Sequence, residues 1–170
     1  MEKTALVFPG QGTQKIGMGY QLYKSSLAAK NVFETANQAL EMDLTTLIFE
    51  GPLEDLTRSD NAQPAILTVS IACLRAFEEY FGNDASKVSL VAGHSLGEFS
   101  ALVASQSLTL DQSLRLVRRR GELMQIAVDQ NPGLMVALIG INLNDARLIC
   151  DESGASISNV NGPAQIVIGG

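Results

Sequence analysis

Residues 88–98 of this 170-residue chain read VSLVAGHSLGE. Their first part, Val88–Ala92, predicts a short buried β-strand, and the pentapeptide G-x-S-x-G follows it around Ser95. A helical pattern resumes at Leu96, so the pentapeptide lies in the strand–turn–helix setting of a nucleophile elbow. Small residues two positions before and after the serine allow the strand and the helix to approach closely. We therefore interpret Ser95 as a nucleophile rather than as a simple helix N-cap.

A base for Ser95 is missing from the elbow. The only histidine of the chain, His94, directly precedes the serine, and adjacent side chains on a tight turn point to different sides. We expect His94 to pack or form hydrogen bonds beside the site and not to take the serine proton. The backbone N–H of Leu96, at the helix N-terminus, is predicted to lie where an oxyanion would develop.

Outward from the elbow, short β-like runs alternate with longer helical ones, which indicates the α/β class. The predicted elements before residue 131 are a strand over Thr4–Phe8, helices over Leu22–Leu40 and Leu44–Phe49, a largely apolar helix that starts near Pro64 and stops before Gly82, the strand and helix of the elbow, and a helix over Leu110–Val128. After Asn131-Pro132-Gly133 the pattern is β-α-β-β, the order of the first four elements of a ferredoxin-like unit.

Composition narrows the function class. The net charge is −6 and the pI about 4.7, which argues against sequence-independent nucleic-acid binding but leaves an acidic small-molecule substrate open. The longest apolar stretches, such as Leu134–Ile141, are too short to span a bilayer, and no secretory signal is visible. Cys73 and Cys150 lack metal-ligand spacing, so we expect two reduced thiols, no metal site and a cytoplasmic protein.

The loop after the first strand, Phe8–Gln14, contains glycines but fits neither common nucleotide-binding motif. Lys15 occupies the third glycine position of G-x-G-x-x-G, and Met18 occupies the lysine position of the P-loop pattern. What remains is a loop that presents Gln11 at the end of a strand, where open α/β sheets bind ligands. Ligand binding and an ordinary tight connection are equally compatible with it.

Three arginines, 118–120, lie within the helix over Leu110–Val128. The apolar stripe of that helix consists of Leu110, Leu114, Val117, Gly121, Met124 and Val128. Arg119 lies opposite the stripe and is predicted to be solvated, whereas Arg118 and Arg120 flank it. Either flanking arginine could reach a cleft and pair with a carboxylate, and periodicity does not choose between them.

Five motifs occur in one order along the chain: FPGQGTQ (8–14), NAQPAIL (61–67), GHSLGE (93–98), RRRGELMQ (118–125) and NVNGPAQIVIGG (159–170). Together they resemble the malonyl-CoA:acyl carrier protein transacylase family and the acyltransferase domains of fatty-acid and polyketide synthases. The resemblance implies a ping-pong reaction in fatty acid biosynthesis. A serine takes the malonyl group from malonyl-CoA, and the phosphopantetheine thiol of the acyl carrier protein then removes it, with no further cofactor.

The resemblance also implies roles for individual residues. By position, Ser95 is the nucleophile, the backbone N–H groups of Gln11 and Leu96 form the oxyanion hole, and Arg120 clamps the free carboxylate of malonate. The further polar positions that line the substrate cleft are Gln63, Gln165 and His94.

The family's catalytic histidine lies on a later segment than any present here, so we expect the chain to be the N-terminal half of such an enzyme. Residues 1–130 are then the N-terminal part of an α/β-hydrolase-like acyltransferase domain, and residues 131–170 the first part of a ferredoxin-like subdomain. An incomplete domain predicts exposed apolar faces and self-association. The alternatives are an inactive truncated protein with a binding or chain-pairing role and, less favoured, a serine esterase.

Overall fold

A computed structural model of the chain describes residues 4–82 and 88–170, which divide into two units between Ile126 and Ala127. The division falls within the last long helix before residue 131. The mixture of helices and strands in both units confirms the predicted α/β class.

In the part of the chain that the structure describes, the first unit contains two strands and most of the helices. Its elements are β1 (Thr4–Phe8), α1 (Tyr20–Ser25), α2 (Leu27–Leu40), α3 (Leu44–Glu50), α4 (Leu53–Thr57), α5 (Ser59–Phe81), β2 (Val88–Gly93), α6 (Gly97–Ala104) and α7 (Leu110–Gln130), whose end runs into the second unit. Within the described residues, no helix combines the length and the apolar character that crossing a bilayer requires.

Strands β1 and β2 pair in parallel, with Phe8 opposite Gly93. Both strands therefore end at the same edge of the sheet. The glycine-containing loop that follows β1 and the elbow that follows β2 begin side by side, at the sheet edge where α/β proteins bind ligands.

Helix α5 is the centre of the first unit, as its apolar circumference predicts. Every residue over 62–68 is buried, and α2 packs along it. The largest side chains completely buried in this core are Phe33, Leu44, Ile48, Leu56, Leu67, Ile71, Leu96 and Leu114. The elbow and α7 are thus anchored in the helical core through Leu96 and Leu114.

Three local predictions for this unit are wrong. The helix expected over Leu22–Leu40 is divided at Ser26, whose extended backbone lets its hydroxyl cap α2 by accepting from the N–H of Ala29. The short helix α4 was not predicted. Helix α5 begins at Ser59, so Pro64 lies inside the helix and not near its first position.

The second unit contains β3 (Met135–Ile139), α8 (Leu143–Ser153), β4 (Ser156–Gly162) and β5 (Gln165–Gly169). This is the predicted β-α-β-β order. The strands form an antiparallel sheet with β5 between β3 and β4. Ala146 and Cys150 on α8 pack against Ile166 and Ile168 on β5 to form a small core of its own.

Candidate active site

The candidate site is built around the turn between β2 and α6. Ser95 has a φ of 51° there, in the left-handed region that residues with a side chain rarely adopt. The turn is closed by the N–H of Gly97, which donates to the carbonyl of His94 at 2.9 Å, and by the N–H of Glu98, which donates to the carbonyl of Ser95 at 3.2 Å. A strained serine on a sharp strand-to-helix turn is the geometry of a nucleophile elbow.

The glycines of the pentapeptide are sterically required. A Cβ on Gly93 would lie 1.9 Å from the carbonyl carbon of Gly97, and a Cβ on Gly97 would lie 2.2 Å from the carbonyl oxygen of Phe8. Real Cβ atoms do not approach backbone atoms so closely. Strand β1, strand β2 and the start of α6 are therefore in backbone contact at the elbow, which explains the small residues on both sides of Ser95.

Arg120 is the arginine that reaches the serine. Its Nη2 donates to Oγ of Ser95 at 2.8 Å, and its Nη1 donates to Oε1 of Gln63 at 2.7 Å. The guanidinium also lies 5.9 Å from the centre of the Phe99 ring. Gln63 is completely buried, so its neutral side-chain amide is a fixed acceptor for Nη1 of Arg120.

No carboxylate pairs with Arg120 in the part of the chain that the structure describes. The two neighbouring arginines differ in this respect. Arg118 contacts Asp60 and Glu122, and Arg119 donates to Glu122 at 3.0 Å with 64% of its side chain exposed. Arg120 therefore keeps an uncompensated positive charge beside the serine hydroxyl, and an incoming anion can pair with it.

Gln11 joins this network from the loop after β1. Its Nε2 donates to Oγ of Ser59 at 3.1 Å, and its Oε1 accepts from Nε2 of Gln63 at 3.4 Å. The Nε2 of Gln63 also lies 3.1 Å from the sulfur of Met124. Side chains from the loop after β1, from α5 and from α7 thus form one connected polar chain that ends at Ser95.

The backbone of the same loop packs against the elbow. A Cβ on Gly10 would lie 2.7 Å from the carbonyl oxygen of His94, so the two segments touch directly. Among the described residues, the N–H groups of Gln11 and Leu96 donate no hydrogen bond. Two unused donors on adjoining segments, one of them at a helix N-terminus, are what stabilisation of an oxyanion requires.

His94 lies on the elbow next to Ser95, and Gln165 belongs to the second unit. His94 is exposed, its N–H donates to the carbonyl of Phe8 at 3.3 Å, and its imidazole packs beside Gly10. Gln165 begins β5 in the second unit and accepts from the amide of Asn161 at 3.2 Å. The structure brings Ser95, Gln11, Gln63 and Arg120 together within the first unit.

Sequence reasoning did not single out Ser59 or Phe99. Ser59 positions Gln11 through its hydroxyl, and its own N–H donates to Oε1 of Gln125 at 3.1 Å. Neither residue carries a spacing signal, because each acts on a partner far away in sequence. Ser59 lies at the first position of α5, and a correct prediction of that helix start would have drawn attention to it.

The chain resembles known acyl transferases along almost its whole length. Residues 5–170 match the acyl transferase domain family. Malonyl CoA-acyl carrier protein transacylase of Bacillus subtilis strain 168 is 46% identical over 175 aligned residues, which cover 100% of this chain and 54% of that protein. The transacylase of the same name from Escherichia coli K12 is 39% identical and is covered over 55% of its length.

Solved structures give the same result. An acyl-carrier-protein-S-malonyltransferase from Bartonella henselae superposes with a TM-score of 0.91 at 46% identity, covering 100% of this chain and 55% of that one. A malonyl-transacylase in complex with a type II polyketide synthase acyl carrier protein superposes at 0.88 with 40% identity, covering 99% of this chain and 55% of that one. The chain spans about half the length of the curated relatives that it matches.

Proposed function

The chain belongs to the acyl transferase domain family, and from that premise we propose that it carries the nucleophile and the acyl-recognition site of a malonyl-CoA:acyl carrier protein transacylase. The reaction is transfer of a malonyl group from coenzyme A to the phosphopantetheine thiol of an acyl carrier protein, in the cytoplasm and without a further cofactor. One observation carries the proposal: Arg120 donates to Oγ of Ser95 and has no carboxylate partner among the described residues.

Arg120 accounts for the choice of acyl group. A malonyl group attached to Ser95 ends in a free carboxylate, which accepts hydrogen bonds from the guanidinium nitrogen that now reaches Oγ. The other nitrogen stays on Gln63, so the guanidinium need not reorganise when the substrate binds. An acetyl group offers no acceptor and leaves the cation unpaired in a partly buried site, which disfavours it.

The elbow accounts for the chemistry. The Oγ of Ser95 attacks the thioester carbonyl, and the carbonyl electrons move to an oxygen held by the N–H groups of Gln11 and Leu96. Collapse of this intermediate expels the coenzyme A thiolate and leaves a malonyl ester on Ser95. The carrier-protein thiol then attacks that ester and restores the serine hydroxyl. The resemblance assigns the serine's proton to a histidine outside these 170 residues, since His94 is the only one within them.

The finer description of the fold is part of the proposal. The parallel pair β1–β2 with its elbow supports an α/β-hydrolase-like acyltransferase domain, of which residues 1–130 are the N-terminal part. The β-α-β-β order and the central position of β5 support assigning residues 131–170 to the first part of a ferredoxin-like subdomain. Gln165 and His94 are proposed as further polar residues of the substrate cleft.

Intact mass spectrometry after incubation with malonyl-CoA tests the proposal. We expect one malonyl adduct on the chain and none on Ser95→Ala. In Arg120→Gln, the ratio of malonyl to acetyl labelling should fall by about tenfold or more, because a charge-assisted pair is lost. The Bacillus subtilis relative serves as the positive control. If that protein is labelled and this chain is not, the chain does not perform the first half-reaction by itself.

A chain-pairing role is the second candidate, and the exposed face of the small parallel sheet favours it. Val7 is 74% exposed and Leu90 is 59% exposed. Beside Val7, a groove of about 440 Å³ is lined by apolar side chains that include Cys73 and Phe77. Monomeric proteins rarely leave such a face open, so we propose that the chain self-associates through it. A monomeric mass in light scattering at micromolar concentration would contradict this.

A further inference from the structure

Helix α5 is unable to make one of its backbone hydrogen bonds. Pro64 lies inside the helix and has no N–H, so the carbonyl of Asp60, four residues earlier, lacks its helical donor. A side chain from another helix takes that place: Nη1 of Arg118, on α7, donates to the carbonyl oxygen of Asp60 at 2.9 Å. Arg118 therefore supplies the bond that the proline removes.

Arg118 makes further contacts to the same turn. Its Nη1 also lies 2.6 Å from Oδ1 of Asn61, and its Nη2 lies 3.7 Å from the carboxylate of Asp60. Asn61 in turn donates from its side chain to the carbonyl of Asp55 at 2.8 Å, in the helix before α5. The Arg118 side chain is only 28% exposed, and its Nε contacts Glu122. It is thus fixed in place and fastens residues 59–63, the opening turn of α5, to α7.

The opening turn carries two residues of the candidate site. Ser59 accepts the hydrogen bond that orients Gln11, and Gln63 accepts the hydrogen bond that orients Arg120. The backbone of the turn also lies against α7, since a Cβ on Gly121 would be 2.3 Å from the carbonyl oxygen of Ser59. A shift of this turn would therefore move both polar groups that position the site.

We propose that Arg118 is a positioning residue for acyl selection. It replaces the helical hydrogen bond that Pro64 removes, keeps the opening turn of α5 in register with α7, and so holds Oε1 of Gln63 where Arg120 needs it. This rests on the proposed function in one respect, the role of Arg120 in binding a carboxylate. The placement of Gln63 by Arg118 stands apart from that role.

The alternative is an arginine that stabilises the fold through ion pairs and its aliphatic stem alone. The positioning role and the purely stabilising role predict different effects on the selection of the acyl group. Loss of general stability lowers labelling by malonyl-CoA and acetyl-CoA alike, whereas a displaced Gln63 weakens only the interaction with the malonyl carboxylate. The ratio of the two labelling rates separates them.

The first experiment measures that ratio in Arg118→Met, which keeps the aliphatic stem. Arg119→Met is the matched control, because Arg119 is adjacent and exposed, and among the described residues it pairs with Glu122 and not with a polar group of α5. We expect the malonyl-to-acetyl ratio at Ser95 to fall by about tenfold in Arg118→Met and to stay unchanged in Arg119→Met. An unchanged ratio in Arg118→Met would overturn the positioning role.

The second experiment needs no activity. Pro64→Ala restores an N–H four residues after Asp60, so it should compensate for the loss of Arg118. We expect Arg118→Met to lower the melting temperature by about 3–6 °C in the parent chain and clearly less in the Pro64→Ala background. Equal decreases in both backgrounds would show that Arg118 does not substitute for the missing donor.

The side-chain amide resonances of Gln63 in a nitrogen–proton spectrum report its position directly. They should move in Arg118→Met, return toward their original positions on adding Pro64→Ala, and stay in place in Arg119→Met. Resonances that do not move in Arg118→Met would overturn the inference. If the parent chain shows no malonyl selectivity, the proposed function fails, and the melting cycle and these resonances still decide whether Arg118 positions Gln63.

Discussion

The elbow around Ser95 and the opening turn of α5 both position the candidate site, yet they are specified in different ways. At the elbow, the close contact is between residues near in sequence: because Gly93 has no Cβ, the backbone of Gly97, four positions later, can pack directly against it. At the opening turn, the partners come from far along the chain, because Arg118 on α7 satisfies the carbonyl of Asp60. The turn at the elbow is signalled by local spacing even though Phe8 of β1 also packs against Gly97, whereas the opening turn of α5 depends on tertiary contacts alone for its missing hydrogen bond.

This difference has an energetic consequence. The elbow is rigid because backbone meets backbone, and no rotamer change can relieve an added atom. The opening turn of α5 is held largely by side chains, each of which can be replaced by water or by another donor at modest cost. Substitutions at the elbow should therefore be all-or-none in effect, whereas those at the turn should be graded.

The largest effect is expected for Gly93→Ala. The new Cβ would lie 1.9 Å from the carbonyl carbon of Gly97, so β2 and α6 must separate. We expect the free energy of unfolding to fall by more than about 4 kcal/mol, measured by urea denaturation. Gly162→Ala is the matched control, since its Cβ meets nothing within 4 Å and its φ is not positive. A soluble Gly93→Ala chain with parental stability would contradict the close packing of the elbow.

Gly121→Ala should have the next largest effect. Helix propensity alone predicts a gain of about 1 kcal/mol for this change within α7. The added Cβ, however, would lie 2.3 Å from the carbonyl oxygen of Ser59 and 2.7 Å from Cα of Asp60. Overpacking should outweigh the propensity, and we expect a net loss of about 2 kcal/mol in thermal or chemical unfolding.

Arg119→Ala, at an exposed position of the same helix, should change stability by no more than about 0.5 kcal/mol. If Gly121→Ala proves more stable than the parent chain, the opening turn of α5 does not lie as close to α7 as described.

The same contrast explains which features could be predicted from the sequence. The strands β1 and β2, the elbow and the β-α-β-β order of the second unit each produce a pattern within a continuous stretch of sequence, and all of them were predicted. The helix break at Ser26 was missed because a serine cap interrupts the helix without changing its apolar periodicity. The candidate site was predicted as a set of residues, mainly through the resemblance to a family.

The choice between Arg118 and Arg120 marks the limit of periodicity. Both flank the apolar stripe of α7, and only the partners on α5 tell them apart: a neutral amide at Gln63 for one, and a backbone carbonyl with Asn61 for the other. The misplaced start of α5 has the same origin. The sequence around Pro64 predicts a first-turn proline. Pro64 is accommodated inside the helix only because Arg118, far along the chain on α7, donates to the carbonyl of Asp60.

Asn61→Ala tests the graded behaviour of the opening turn. It removes an acceptor for Arg118 and the donor to the carbonyl of Asp55. Because Arg118 retains its bond to Asp60, we expect a loss of about 1–1.5 kcal/mol in the free energy of unfolding. A loss as large as that of Gly93→Ala would abolish the distinction between the two regions.

The smallest effect is expected at a purely local signal, the N-cap of α3. Asp43 accepts from the N–H of Thr46 at 3.1 Å and from its hydroxyl at 2.7 Å. The Thr46 hydroxyl and then the Thr46 N–H lower the pKa of the Asp43 carboxyl below its ordinary value. Asp43→Ala should cost about 1 kcal/mol at neutral pH.

The pH dependence of this cap follows from the direction of the shift. A carboxyl whose pKa is lowered by folding stabilises the folded state fully above its unfolded pKa of about 3.9, and this contribution is lost as the pH falls through the lower folded pKa. Below about pH 4 the melting temperature of the parent chain should therefore fall relative to that of Asp43→Asn, because asparagine caps the helix without titrating. A difference that stays constant down to pH 2 would show that the cap does not depend on charge. Since the side-chain hydrogen bonds of this cap all lie within the ten residues 37–46, its response should be the same in the Arg118→Met background, as a locally specified feature requires.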